Sequence, residues 1–279
     1  MVERDGINGR DLPGKPTQQD HLDLERPNAA RIYDYLLGGS SNVAVDREAA
    51  EELKKTSSEM VAMARVNRSY LGRVVRHLAG LGVDQFLDLG SGIPTAGNVH
   101  EVAQQVNPQA RVAYVDMEPV AVTYARDLLA NEPLVTVTQA DIRDPEAVLS
   151  APGVAELLDR NKPTVVLAIA ILHAVSDGDD PKGFLARYGE AFGAGSYLAI
   201  THLSPLTLDD QQVRRIEAVY ERTPTPVVFR SPEEIANLLR PYELIDPGLV
   251  LAPQWHSASP VSDEEARASN IFGAVARLS

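Results

Sequence analysis

The sequence predicts an α/β fold on a mostly parallel sheet, and three observations carry that prediction. Short apolar runs alternate with helical patterns from Gln85 onward, as in a chain of β-α-β units. Three successive strands each close on a polar turn, at Gly90-Ser91-Gly92, at Asp116 and at Asp141. A fourth run, Pro163 to His173, is almost wholly apolar, as expected of a central parallel strand buried on both faces.

Residues 1–24 are polar and rich in Gly, Pro, Asp and Gln, which predicts a flexible arm. From Pro27 the character changes. Ala29, Ala30, Ile32, Tyr33, Leu36 and Leu37 recur at helical spacing, and Gly38-Gly39 ends the helix. A second helix is predicted from about Arg47 to Lys55 and a third from Met60 to Gly80, whose apolar face is Val66, Tyr70, Val74, Val75 and Leu78. Arg65, Arg68, Arg73 and Arg76 on that helix are expected in solvent. Arg31, Tyr33, Asp34, Asn42 and Asp46 are dense for a mere helix cap, and mark this region as a candidate for function.

The first strand, Phe86–Leu89, runs into a glycine turn. Gly90 and Gly92 lack a Cβ, so the backbone can turn sharply and approach a ligand. Pro94 suits the first turn of a following helix. Thr95 stands where the dinucleotide fingerprint needs its third glycine, so that pattern is not met. The second strand, Ala110–Val115, ends at Asp116, whose carboxylate can accept from both hydroxyls of a ribose. Glu118 is not separable from it by sequence, and Asp116 can also cap the helix that starts at Pro119. Met117 offers an apolar contact to one adenine face. The third strand, Leu134–Thr138, leads to Asp141, an acceptor for an adenine amino group, and to the N–H of Ile142 for a ring nitrogen. Together these describe a pocket for an adenosine.

Further along, helices are expected at 181–191 and 209–222, with strand five at Ser196–His202. Ser231 and Glu234 fit a capping box opening another helix. The last apolar runs, Leu249–Ala252 and Ile271–Ala276, predict a closing strand pair, with Trp255 and His256 between them.

Composition narrows the function. The 279 residues are 44% hydrophobic, enough for a sizeable core. A net charge of −13 disfavours nucleic acid and anionic membrane as partners. The absence of cysteine removes disulfides, thiol nucleophiles and thiolate zinc sites. No run of eighteen apolar residues and no signal-peptide core is present, so a cytoplasmic location is expected. Scattered histidines without an H-x-x-x-H pair predict no metal site.

Asp88-Leu89-Gly90-Ser91-Gly92, Tyr114-Val115-Asp116 and Ala140-Asp141-Ile142-Arg143 resemble the cofactor motifs of class I S-adenosylmethionine-dependent methyltransferases. The run from Pro27 to Asn42, continued by Asp46-Arg47, resembles the signature of the bacterial S-adenosyl methyltransferase family, formerly a domain of unknown function. The resemblance implies a Rossmann-like, seven-stranded sheet with an antiparallel last strand (residues 83–279), covered by N-terminal helices (25–82). It implies S-adenosylmethionine as cofactor and S-adenosylhomocysteine as product, held by Gly90, Ser91, Gly92, Asp116, Met117, Asp141 and Ile142. Gly38 and Asn42 would wall the methionine end, Arg65 or Asn67 would reach its carboxylate, and Ala168 would lie where the fourth strand meets the methyl donor. Leu172-His173 with Asp177 resembles a segment that follows this strand in many small-molecule methyltransferases, which makes His173 a candidate general base. The structural alternative is a histidine satisfied by Asp177. A small-molecule acceptor is expected, while the acceptor's identity and the oligomeric state stay open. Two other readings are a cofactor-binding protein without catalysis and a nicotinamide-dependent oxidoreductase using Asp116 on the ribose.

Overall fold

The computed structural model describes residues 23–94, 97–240 and 242–278. All but the last two residues of the predicted N-terminal arm lie outside that set, as does Thr95. Three helices come first: α1 (Ala29–Leu36), α2 (Ala44–Thr56) and α3 (Met60–Gly80). Then β1 (Gln85–Leu89), α4 (Val99–Val106), β2 (Arg111–Asp116), α5 (Pro119–Leu128) and β3 (Val135–Gln139) follow in alternation. Two short helices, α6 (Pro145–Ser150) and α7 (Pro152–Ala155), lead to β4 (Val165–Ala168). The remainder is α8 (Pro181–Glu190), β5 (Tyr197–Leu203), α9 (Asp210–Tyr220), α10 (Pro232–Leu238), β6 (Glu243–Leu244), β7 (Val250–Leu251), α11 (Asp263–Ala268) and β8 (Ile271–Arg277).

The sheet runs β3-β2-β1-β4-β5-β8, and β1 to β5 pair in parallel with one another. The last strand, β8, is antiparallel to β5. On its far side β8 pairs with both β6 and β7, at opposite ends. Among the described residues eight strands therefore occupy seven lanes, because β6 and β7 share one. The predicted closing pair is present, whereas β6, α6, α7 and α11 are too short to give a period in the sequence.

Neighbouring strand residues point to opposite faces. Phe86 belongs to the buried cluster of Tyr70, Val74 and Leu78 of α3 on one side, while Leu87 and Leu89 belong to that of Phe184 and Tyr188 of α8 on the other. Two expectations need correction here. Pro94 is not in a helix, since α4 begins only at Val99; its N-terminus is set by the capping box of Asn98 and Glu101. The long apolar run after Pro163 yields only four strand residues. The chain leaves the sheet at Ala168 and turns at Ala170, which has φ 55.

The polar residues of the N-terminal segment bond to one another. Arg31 and Asp46 form an ion pair at 2.6 Å with both side chains buried. Asp46 also accepts the N–H groups of Asn28 (2.9 Å) and Val43 (2.8 Å), joining α1 to the start of α2. Asp34 accepts from the backbone of Ser41 (2.8 Å) and from the Asn42 amide (2.9 Å), which folds the Gly-Gly-Ser-Ser-Asn loop back onto α1. A Cβ on Gly39 would lie 2.0 Å from the Asp34 carboxylate, so only glycine fits there.

Candidate active site

The carboxyl ends of β1, β2 and β4 open into one cavity, roofed by α1 and α3. Its atom-free space, up to the open mouth, is about 1030 Å³, ample for a nucleoside-sized ligand. The floor is Gly90, Ser91, Gly92 and Ile93; one wall is Asp88, Asp116, Met117 and Glu118. Ile169 to Ile171 and His173 follow β4, and Tyr220, Thr225 and Pro226 close the side after α9. From the roof come Ala29, Ala30 and Tyr33 of α1 and Asn67, Arg68 and Leu71 of α3.

The glycine turn is fixed from both ends. The N–H groups of Gly90 and Ser91 donate to Val115 O at 2.8 and 3.0 Å. Gly90 has φ 70, and a Cβ on it would lie 2.4 Å from Ile171 Cγ1. Gly92, at φ 65, donates its N–H to Asp116 Oδ2 at 2.7 Å. The other Asp116 oxygen accepts from Glu118 N at 2.9 Å. Asp116 thus lines the cavity while holding its own turn; it is not the N-cap of α5, a position that Glu118 occupies.

Three carboxylates meet here in poor contact with water. Burial pushes Asp88 up to about 7, with the Asp116 charge adding to the shift and Arg68 opposing it. Burial also raises Asp116, against the pull of the donating N–H groups of Glu118 and Gly92. Glu118 is raised by burial and by Asp116. Tyr33 and Tyr220 are both pushed up to about 12 by burial, so they stay neutral. Tyr33 donates to Ala64 O at 3.1 Å, linking α1 to α3.

His173 lines the cavity with its ring 6.3 Å from that of His202. Burial lowers it to about 3, helped by His202 and Arg230. The carboxylate expected to satisfy it, Asp177, is instead bound to Arg230 at 2.7 Å. His202 is buried behind the cavity wall and does not line it.

Of the predicted site residues, Gly90, Ser91, Gly92, Asp116, Met117 and His173 come together. Gly38 and Asn42 do not line the cavity: Gly38 ends α1 at φ 85, and the Asn42 amide serves Asp34 and Gly39 O. Ala168 is wholly buried in the sheet, and the residues just after it reach the cavity instead. Asp141 is chelated by Arg143, at 2.6 Å to Oδ2, and Ile142 is buried with its carbonyl accepting from Tyr188. Both lie beyond Ala140, whose N–H donates to Asp116 O, and neither lines the cavity.

Asn67, Arg68, Asp88, Tyr33 and Tyr220 complete the site. Of the two residues that the resemblance offers for the cofactor carboxylate, Arg65 is exposed and Asn67 lines the cavity. Arg68 and Arg73 are not solvated as expected: Arg68 lines the cavity, and Arg73 donates to Trp255 O and Ala252 O at 2.8 and 2.6 Å. Trp255 is fully buried against Tyr70 and His77 and anchors its loop.

The family model for S-adenosyl methyltransferase matches residues 15–279. The chain belongs to the S-adenosyl methyltransferase family. It is an S-adenosylmethionine-dependent methyltransferase, which displaces the nicotinamide reading. Two solved structures are similar to this methyltransferase over nearly their whole length. One, from Thermobifida fusca YX and assigned as a methyltransferase, is 37% identical with TM-score 0.87, over 95% of this chain and 99% of the other. A DUF574-family protein from Streptomyces avermitilis MA-4680 is 36% identical with TM-score 0.86, over 92% and 99%. No curated protein matches the methyltransferase sequence. Among the described residues no helix is long and apolar enough to cross a membrane, and no group of His, Cys, Asp and Glu is placed to hold a metal.

Proposed function

We propose that the cavity holds the cofactor against the glycine turn and receives a small, uncharged acceptor on its Tyr33–Tyr220 side. The reading rests on one observation: Asp88, Asp116 and Glu118 converge beside a glycine turn at the ends of adjacent strands. S-adenosylmethionine brings two positive charges and a ribose diol, which offer these carboxylates countercharge and further donors. Asp116 and Glu118 then take the ribose hydroxyls, Met117 flanks the adenine, and Asp88 faces the methionine ammonium. Residues 25–82 act as the cover, through Tyr33, Asn67 and Arg68. No cofactor contact is assigned to Gly38, Asn42, Asp141, Ile142 or Ala168.

The bound cofactor supplies an activated methyl group on a sulfonium. The chain's part is alignment and the exclusion of water. The acceptor side carries Tyr33, Tyr220, Thr225, Pro226 and Ile171, which have no formal charge, and this favours an uncharged molecule. With its proton affinity held low, His173 accepts a hydrogen bond from the acceptor but stores no proton.

Calorimetric titration with S-adenosylmethionine, S-adenosylhomocysteine and NAD in parallel tests the assignment. Tight binding of the first two and none of NAD is expected. Silence toward all three, with no ligand released on denaturation and seen by mass spectrometry, would refute the cavity as the cofactor site.

A further inference from the structure

Arg230 lies behind the acceptor side, only 3% exposed. A guanidinium has five N–H donors in a fixed plane, and here each has a partner. Nε and one Nη2 hydrogen reach Asp177 Oδ1 at 3.1 and 2.7 Å. The other Nη2 hydrogen goes to Val175 O at 2.9 Å. Nη1 serves Leu172 O at 3.1 Å and the His202 ring nitrogen Nε2 at 2.6 Å.

Two consequences follow. Leu172 O and Val175 O bracket His173 and Ala174, so one rigid side chain grips the turn on both sides of the histidine. The backbone near Arg230 grips it too, since Val228 N donates to His173 O at 2.7 Å. That same segment carries Thr225 and Pro226 into the cavity. The tautomer of His202 is also fixed. Arginine cannot accept a hydrogen bond, so Nε2 must be bare; the ring proton sits on Nδ1, which donates to Leu203 O at 2.9 Å.

We infer that Arg230 is the positioning residue of the acceptor side: through Leu172, Val175 and His202 it locks the His173 turn against the segment 225–230, fixing where His173 meets the acceptor. The inference rests on the acceptor lying on that side of the cavity. It predicts a His202 imidazole in a single tautomer and a His173 ring in a single environment. A guanidinium that merely filled space would leave both rings indifferent to its replacement.

The test is long-range nitrogen–proton spectroscopy of ¹⁵N-histidine-labelled full-length protein with S-adenosylhomocysteine at neutral pH. His173→Gln and His202→Gln assign the signals. The wild type should show His202 protonated on Nδ1 alone; a ring protonated on Nε2, or on both nitrogens, would overturn the inference without any Arg230 variant. In Arg230→Met, His202 should become a mixture of tautomers and the His173 signals should broaden or double. Arg230→Lys, which keeps the charge but cannot span the four acceptors, should do the same; unchanged rings in either folded variant would refute the positioning role. The same variants should bind S-adenosylhomocysteine within about twofold of wild type, since Arg230 touches none of the cofactor wall. Loss of that binding with unchanged rings would reassign Arg230 to the cofactor side. Failure of the wild type to bind would instead overturn the cofactor assignment and leave the tautomer result standing.

Discussion

The hydroxyl of Thr201 accepts the N–H of Ala170 at 2.8 Å and donates its own proton to Asn67 Oδ1 at 2.7 Å. These contacts hold the turn after β4 in place, tie it to the roof helix α3, and seat Ile171 against Gly90. Ala170 sits at φ 55, a conformation that costs a non-glycine residue about 1 kcal/mol or more. Thr201→Val keeps the shape, removes both bonds and takes the Thr201 partner from Ala170 N–H and from Asn67 Oδ1. A loss of about 1–3 kcal/mol in urea unfolding is expected, with weaker S-adenosylhomocysteine binding. Thr201→Ser should restore both, and Ala170→Gly should recover part of the loss by relieving the strain. Equal stability of Thr201→Val and wild type would remove this relay from the site.

The two glycines of the turn should respond differently to alanine. At Gly90 the new methyl would collide with Ile171, whereas at Gly92 it meets open space and only φ is unfavourable. Gly90→Ala should therefore abolish S-adenosylhomocysteine binding. Gly92→Ala should cost about 1 kcal/mol of stability, without a clash. Comparison of the pair by calorimetry and thermal unfolding decides it; equal effects would mean that Ile171 yields freely.

Breaking the Arg31–Asp46 pair should undo the cover. Removing one member of a buried pair leaves an uncompensated charge, at about 3–5 kcal/mol. Asp46→Ala also strips acceptors from Asn28 and Val43. Hydrogen exchange should show α1 and the start of α2 opening while β1 to β4 stay protected. Protection lost uniformly would mean that cover and sheet unfold together.

Asp88 should couple cofactor binding to protons. Its folded value of about 7 lies above the ordinary 3.8, so between those values the folded protein binds more protons than the unfolded chain. Its contribution to stability therefore falls as pH rises through that window, by at most about 1.4 kcal/mol per pH unit. His173 acts in the opposite sense: its value is depressed from 6.5 to about 3, so its contribution is lost as pH falls below 6.5. An ammonium placed against Asp88 requires the ionised form, so binding S-adenosylhomocysteine at pH 6 should release protons from the protein. Binding enthalpies in two buffers of unlike ionisation enthalpy measure this. Asp88→Asn should reduce the release; an unchanged value would put the ammonium elsewhere.

These residues also show what a sequence discloses. The α3 boundaries and the strand ends at Gly90 and Asp116 were legible because periodicity and turn chemistry are local. The polar signature of Arg31, Asp34, Asn42 and Asp46 was legible as unusual but not as structural, because its partners lie up to eighteen positions apart, across α1 and the irregular loop after it. Asn67 and Thr201 are 134 positions apart, and no local period marks a hydroxyl that serves a turn on another strand. Arg230 follows a proline-rich link and looks like any solvated arginine until the chain closes around it.

The lane that β6 and β7 share has a further consequence. An exposed strand edge invites a second molecule to add its own backbone, a route to aggregation. Here that edge is two residues of β6 and two of β7, parted by residues 245–249, Pro247 among them. Proline has no N–H to offer an incoming strand. The seam breaks off before a neighbour could zip along it, and the long β8, which could have been such a template, is paired on both sides.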